Sequence, residues 1–300
     1  MNWVNIAILS AAVLGVVNII DSHLLSRRMP SLGSFLLPVG IITLIYASVL
    51  FTLFPIPEGT SKLTLLVALA SGILRSTAIT IMLYTLRREE VSLVVPVVHT
   101  YPVLVAIMAI PILGESLVSL QWLAVIIVVA GAVMVSIRRE STGNSIWLGK
   151  TFLLLISSSL LMAAADIASK YALAYISPWN MYWLTAFCMS FLFLSLSLRP
   201  SVFKELRRMQ HQGPALSLLI LAEFLALVGV VLSFWAIEQG PVSLVSTIIG
   251  TRPIFVFMYT LILSRVSPTF LEWHWTRAIL VLRFVAITMI VAGVAIIHLV

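Results

Sequence analysis

The chain has 300 residues, of which 61% are hydrophobic and 10% are charged, with a mean hydropathy of +1.14 and a formal net charge of +7. Soluble domains carry about 25% charged residues, so this composition excludes an ordinary water-soluble protein. The net positive charge does not predict nucleic-acid binding, because the lysines and arginines occur in short segments beside apolar runs. Anionic lipid headgroups are the expected partner of such segments.

Apolar runs of about 20 residues, long enough to cross a hydrocarbon layer of about 30 Å as helices, recur along the whole sequence. The segments between them are rich in Gly, Pro, Ser and charged residues, as is typical of helix ends. The pattern predicts an all-α integral membrane protein with ten transmembrane helices, near residues 3–24, 33–54, 63–86, 91–112, 118–137, 147–175, 179–198, 215–237, 242–263 and 278–299. No positively charged segment precedes the first run, which is therefore interpreted as a retained span rather than a signal peptide.

Lysine and arginine are distributed unequally between the predicted loops. The even-numbered loops hold Lys62, whereas the odd-numbered loops hold Arg27, Arg28, Arg87, Arg88, Arg138, Arg139, Lys150, Arg199, Lys204, Arg207, Arg208, Arg265 and Arg277. Because cytoplasmic loops are enriched in Lys and Arg, we expect the odd-numbered loops in the cytoplasm and both termini outside it. The expected location is the plasma (inner) membrane of a prokaryote.

One motif occurs twice. The sequence VSLVVPVVHTYP at 91–102 returns as VSLVSTIIGTRP at 242–253. The offset of 151 residues equals five predicted spans, an odd number, so the second copy must cross the membrane in the opposite direction. The sequence therefore predicts two inverted five-helix repeats, residues 1–140 and 141–300. Inverted repeats are typical of transporters that open a central site alternately to each side.

Ionisable residues inside predicted spans are candidate site residues, since each costs roughly 2.5 to 3.5 kcal/mol on insertion scales unless it has a partner or a cavity. Counting at about 1.5 Å per residue places Arg75, His99 and Arg252 near the membrane midplane. Glu223 is within about one side-chain length of Arg252 by the same count, which makes an ion pair between them feasible. We expect one polar cavity here, and the substrate-binding hypothesis comprises Arg75, His99, Thr100, Tyr101, Glu223, Thr251 and Arg252. The alternatives are a structural ion pair that never contacts a ligand and, for His99, a hydrogen-bonded core histidine.

A second set of polar residues lies in the first and sixth predicted spans. Asp166 and Lys170 are four residues apart on one helical face, so they could satisfy one another. A gate or a proton relay is the functional hypothesis for Asp21, Asp166 and Lys170. A solvated helix end or an internal ion pair is the alternative.

Three prolines lie inside predicted spans, where each removes a backbone hydrogen bond and bends the helix. They are Pro96, Pro102 and Pro253. Thr100 and Thr251 precede two of these prolines by two positions, and their hydroxyls could bond the freed carbonyls or a substrate. A fixed packing kink and a moving hinge both fit this pattern.

The segment LGESLVSLQWLAVIIVVAGAVMV at 113–135 resembles the signature of EamA-domain proteins in the drug/metabolite transporter superfamily. The second copy departs from that signature, with LSRVS where L-G-E would stand. The resemblance implies a basket of ten helices whose cavity is lined mainly by the third, fourth, eighth and ninth. It also implies a transporter, since common members export amino acids, metabolites and drugs.

These observations together predict a secondary active transporter that exports a small polar or amphipathic metabolite by alternating access. Two arginines and a histidine against one glutamate favour a carboxylate-bearing, amino-acid-like substrate, and protons are a candidate coupling ion. A lipid or lipid-linked carrier flippase of the same fold is the alternative. An intramembrane enzyme is a remote one, because the sequence has no H-E-x-x-H motif and no P-loop. No cofactor and no metal site are expected, and the pattern leaves monomer and homodimer open.

Overall fold

The computed structural model describes residues 2–87, 94, 97–136, 150–209, 212–266 and 277–299, and those residues form helices joined by short turns. A π-helical turn, Leu24–Arg28, continues the first helix. The helices are α1 Trp3–His23, α2 Leu32–Leu53, α3 Lys62–Leu86, α4 Tyr101–Leu113, α5 Ser119–Ser136, α6 Lys150–Leu173, α7 Pro178–Ser197, α8 Pro200–Arg208, α9 Gln212–Gln239, α10 Val242–Ile249, α11 Arg252–Val266 and α12 Arg277–Leu299.

The long apolar helices match the predicted spans. Within the described residues, 7 helical segments are long and apolar enough to cross a membrane, and the shorter apolar helices Tyr101–Leu113, Ser119–Met134 and Phe284–Leu299 fall in three further predicted spans. Large apolar side chains such as Phe191, which is 79% exposed, cover the outer surface as lipid contact requires. The multi-pass, all-helical class is confirmed, whereas the count of ten transmembrane helices stays a prediction.

Serine side chains begin three of these helices. The hydroxyls of Ser31, Ser61 and Ser177 each accept the backbone N–H three residues later, which satisfies one of the free donors at a helix start. At the other end of α4, Gly114 has φ +69, a left-handed conformation that glycine adopts without steric cost. Polar and flexible residues in the breaks between apolar runs thus set the helix ends locally.

Helix packing relates the two halves of the chain. Helix α1 packs along α9 and α3 packs along α6, while α2 packs on α7 and α5 on α12. If each helix is replaced by its repeat equivalent in the other half, the α1–α9 pair becomes the α6–α3 pair. The α2–α7 and α5–α12 pairs each join a helix to its own equivalent, so they stay the same. Equivalent hydrogen bonds follow this exchange: Ser10 donates to the carbonyl of Gly229 and Ser158 donates to that of Ala78, both at 2.8 Å. Gly229 and Ala78 have the same 151-residue offset as the repeated motif.

Both copies of the repeated motif are broken at the same position. Helix α10 ends at Ile249 and α11 begins at Arg252, and α4 begins at Tyr101, the repeat equivalent of Arg252. Pro102 and Pro253 each take the second position of the helix that follows the break, where the missing N–H would have no intrahelical partner. The expected proline kinks are therefore helix breaks at these two sites.

The threonine hydroxyls before the breaks donate hydrogen bonds to backbone carbonyl oxygens. Thr100 Oγ1 donates to the carbonyl of Val97 and Thr251 Oγ1 donates to that of Ile248, each at 2.7 Å. Val97 and Ile248 also accept the backbone N–H groups of Thr100 and Thr251, so the hydroxyls bond turn carbonyls rather than the carbonyls that the prolines leave without a donor. Pro96, the third predicted kink, lies outside the described residues.

Candidate functional site

A buried ion pair joins the third and sixth helices. Arg75 Nη2 lies 2.7 Å from Asp166 Oδ1, and the two side chains are 11% and 5% exposed. Ser246 Oγ of α10 donates to the other carboxylate oxygen of Asp166 at 2.7 Å. The guanidinium carbon of Arg75 lies 5.1 Å from the ring centroid of Phe234, within the range of a cation–π contact. The charge of Arg75 is therefore balanced inside the protein.

The contact between Asp166 and Lys170 that their spacing allowed is not formed. Lys170 Nζ instead donates to three carbonyl oxygens where α9 ends, those of Ile237, Glu238 and Gly240, at 2.7, 3.1 and 2.9 Å. The last carbonyls of a helix lack intrahelical donors and carry partial negative charge, so they attract a cation. Asp166 is already satisfied by Arg75 and Ser246.

Arg252 lies at the helix break, close to this ion pair. It interacts electrostatically with Tyr101, Arg75 and Asp166. No ion pair of Arg252 is formed among the residues that the structure describes, and its buried Nε lacks a hydrogen-bond partner there. The cation at the break is thus left with unused hydrogen-bonding capacity.

Two further predicted site residues surround this cation. His99 interacts with Arg252 and with the backbone of Gly250, and its buried Nδ1 has no hydrogen-bond partner in the described structure. The Tyr101 hydroxyl donates to the carbonyl of Ser246 at 3.4 Å. We call the set Arg75, His99, Tyr101, Asp166, Ser246 and Arg252 the central cluster.

The ion pair between Glu223 and Arg252 that residue counting allowed is not formed either. Glu223 Oε2 lies 3.2 Å from Thr43 Oγ1 of α2, and Glu223 interacts electrostatically with Asp21 of α1. Residue counting gives the depth of a side chain in the membrane, but it does not give the direction in which that side chain leaves the helix axis. Glu223 and Asp21 therefore belong to a second group with Thr43, Tyr46 and Tyr182, which we call the carboxyl cluster.

A carboxylate from the first half caps a helix of the second half. Glu115 Oε1 accepts the N–H of Val242 at 2.6 Å, and Oε2 accepts the N–H and the hydroxyl of Ser243 at 3.3 and 2.5 Å. A carboxylate at a helix start satisfies free N–H groups and the positive end of the dipole. With Lys170 it holds the turn between α9 and α10 from both sides, and we call Glu115 and Lys170 the turn clasp.

Sequence reasoning missed Glu115, Thr43 and Ser246 as site residues. Glu115 stood in the LGES signature, and nothing in the sequence indicated that its carboxylate accepts the N–H groups of Val242 and Ser243. Thr43 and Ser246 are ordinary polar residues within apolar runs, and nothing in their sequence context indicates the carboxylates that they contact.

Comparisons with known proteins agree with the fold. The EamA-like transporter family matches this chain twice, over residues 1–137 and 149–299. No curated protein matches the chain. A crystal structure with 17% sequence identity superposes with a TM-score of 0.67, covering 99% of this chain and 95% of that chain, which shows a shared fold. The matches in both halves confirm the resemblance seen in the LGES segment. The chain belongs to the EamA-like transporter family, a family of membrane transporters.

Proposed function

We propose that the protein is a secondary active transporter that exports a small carboxylate-bearing metabolite, such as an amino acid, across the plasma membrane by alternating access. The observation that carries this proposal is Arg252, a cation within a membrane span and at a helix break, without an ion-pair partner among the described side chains. A cation at that depth is costly unless it faces a polar cavity or a ligand. A carboxylate is the planar, bidentate partner that suits a guanidinium.

The charge balance of the central cluster supports an anionic group on the substrate. Arg75 and Asp166 neutralise each other at 2.7 Å, so the positive charge of Arg252 is in excess. Glu223 does not reduce this excess, because it contacts Thr43 and Asp21 instead. A site with a net positive charge attracts a substrate that supplies a negative one.

The helix breaks support the same conclusion. The free N–H groups at a helix start are equivalent to about half a positive charge, and broken helices of this kind face anionic substrate groups in other transporters. Helices α4 and α11 start at equivalent positions, and the breaks lie against each other: a Cβ added to Gly250 would be 3.0 Å from Pro102 Cγ. We place the substrate carboxylate between these helix starts and Arg252.

The turn clasp supports a gate. Alternating access requires a contact between the halves that holds one side closed and can be broken. Glu115 of the first half holds Val242 and Ser243 of the second half at the end of the molecule where the even-numbered loops lie. The second copy has LSRVS where L-G-E would stand, so no carboxylate occupies the position equivalent to Glu115, and the two ends close through different contacts. With both termini outside the cytoplasm, the clasp is the extracellular gate.

Counterflow in proteoliposomes tests the proposed function. Purified protein is reconstituted with a panel of radiolabelled amino acids, each compared with its amide analogue, which lacks the carboxylate. We expect exchange of acids but not of amides, loss of exchange in Arg252→Ala, and normal exchange in the control Arg208→Ala, which changes an exposed arginine on α8. Full exchange by Arg252→Ala would refute the assignment of this residue. Exchange of lipid-linked substrates without any soluble substrate would favour a flippase instead.

A further inference from the structure

Two carboxyl groups of the carboxyl cluster lie on neighbouring helices within the membrane. Asp21 of α1 and Glu223 of α9 lie on two helices that pack along each other, and their charges interact. Glu223 is 7% exposed, and Asp21 Oδ1 is enclosed without a hydrogen-bond partner among the described atoms. The described part of the structure forms one ion pair, Arg75 with Asp166, so no described cation pairs with either carboxyl group.

The Thr43 hydroxyl has two acceptors within hydrogen-bond distance. Thr43 Oγ1 lies 2.8 Å from the carbonyl oxygen of Val39 and 3.2 Å from Glu223 Oε2. A hydroxyl has one hydrogen to donate, and a carbonyl can only accept. Thr43 can therefore donate to only one of these two oxygens at a time, whereas a proton on the Glu223 carboxyl group lets Glu223 donate to Thr43 while Thr43 donates to Val39.

The other groups around Glu223 are tyrosines. Tyr46 of α2 and Tyr182 of α7 both interact with Glu223. Tyr182 is 6% exposed, and a phenol hydroxyl can both accept and donate a hydrogen bond. Beyond the end of α1, Arg27 and Arg28 interact with His23. Within the described part of the chain, the cluster thus offers oxygen atoms, and neither of its carboxyl groups forms an ion pair.

We propose that Asp21, Glu223 and Thr43 form a proton-binding site, separate from the site at Arg252. Two ionised carboxylates cannot share a low-dielectric environment without a cation, and one bound proton removes both the repulsion and one desolvation cost. Release transfers the proton from the Glu223 carboxyl group to water when that part of the cluster becomes hydrated. The ligand of this site is therefore a proton rather than a metabolite.

The position of Glu223 on α9 links this site to transport. Helix α9 ends at the turn held by Lys170 and continues into α10, whose break carries Arg252. A movement of α9 that separates Glu223 from Asp21 also displaces the turn held by the turn clasp and the helix break at Arg252. The assignment of this proton as the coupling ion rests on the proposed transport function, whereas proton binding itself does not.

Infrared spectroscopy of the full-length protein in lipid tests proton binding without any substrate. At neutral pH we expect the carbonyl stretch of a protonated carboxylic acid, sensitive to deuterium exchange. The band should disappear in Glu223→Gln, lose intensity or shift in Asp21→Asn, and shift in Thr43→Val. The control Glu58→Gln, which changes an exposed carboxylate between α2 and α3, should leave it unchanged.

Three outcomes would overturn the proposal. They are absence of the band from the wild type at neutral pH, retention of the band in both Glu223→Gln and Asp21→Asn, and loss of the wild-type band on addition of sodium ions at constant pH, which would indicate a sodium site. Coupling is then measured in proteoliposomes, where a pH gradient should drive accumulation by the wild type and should drive none in Glu223→Gln. Wild-type counterflow without a pH gradient tests the transport function by itself. The transport function and the role of the proton site in coupling can therefore be refuted separately.

Discussion

Removal of the Asp166 carboxylate should destabilise the protein more than removal of the Arg75 charge. Asp166 faces two cations, Arg75 at 2.7 Å and Arg252 nearby. In Asp166→Asn both guanidinium groups remain and repel each other without a carboxylate between them. In Arg75→Gln, Arg252 remains as a counterion for Asp166 and Ser246 still donates to it.

The magnitude follows from the burial of the pair. Loss of one partner of a buried ion pair costs about 3–5 kcal/mol. We expect Asp166→Asn near the upper end of this range and Arg75→Gln smaller by about 1 kcal/mol or more, because contacting charges couple by about 0.5–3 kcal/mol. The double variant, which leaves no uncompensated charge in the pair, should regain part of the loss.

Denaturant titration in lipid–detergent micelles measures these free energies of unfolding. Cys188 is the one cysteine of the chain and is partly buried in α7, so its labelling by a thiol-reactive dye reports unfolding. Arg208→Gln, an exposed change on α8, is the control and should alter stability by less than about 0.5 kcal/mol. A loss in Arg75→Gln equal to or greater than that in Asp166→Asn would refute the reasoning.

Three further predictions concern the turn clasp, the helix breaks and the topology. Glu115→Ala removes the acceptor for Val242 and Ser243, at a cost of about 2 kcal/mol, so amide hydrogen exchange at these residues should be roughly thirtyfold faster; unchanged exchange would contradict the clasp. Gly250→Ala brings a methyl group to 3.0 Å from Pro102 and should cost about 1–3 kcal/mol of unfolding free energy; a neutral effect would mean that the breaks are not in tight contact. Cysteines placed at either terminus of a cysteine-free chain should react with impermeant reagents in intact cells, and protection of both would show that the charge-based orientation is wrong.

Much of the fold follows from the sequence because the signals are local. Apolar length predicts a membrane span wherever it occurs, and the serines at 31, 61 and 177 begin helices through contacts three residues away. The repeated motif located the equivalent elements of the two halves, and Pro102 and Pro253 indicated where both are interrupted. These features depend on neighbours in the chain, so they can be predicted without knowledge of packing.

The pairing of the buried charges was decided by the tertiary structure. Counting along the chain placed Arg75, Glu223 and Arg252 at similar depths, but it could not show that α3 turns Arg75 towards Asp166. It also could not show that α9 turns Glu223 towards Thr43, on a helix 180 positions away in the chain. Depth is a property of one helix, whereas a partner depends on the rotation and packing of two. The sequence by itself determined a repeated, membrane-spanning helical protein of the EamA-like family, and the packing decided that its polar residues form a central cluster, a carboxyl cluster and a turn clasp.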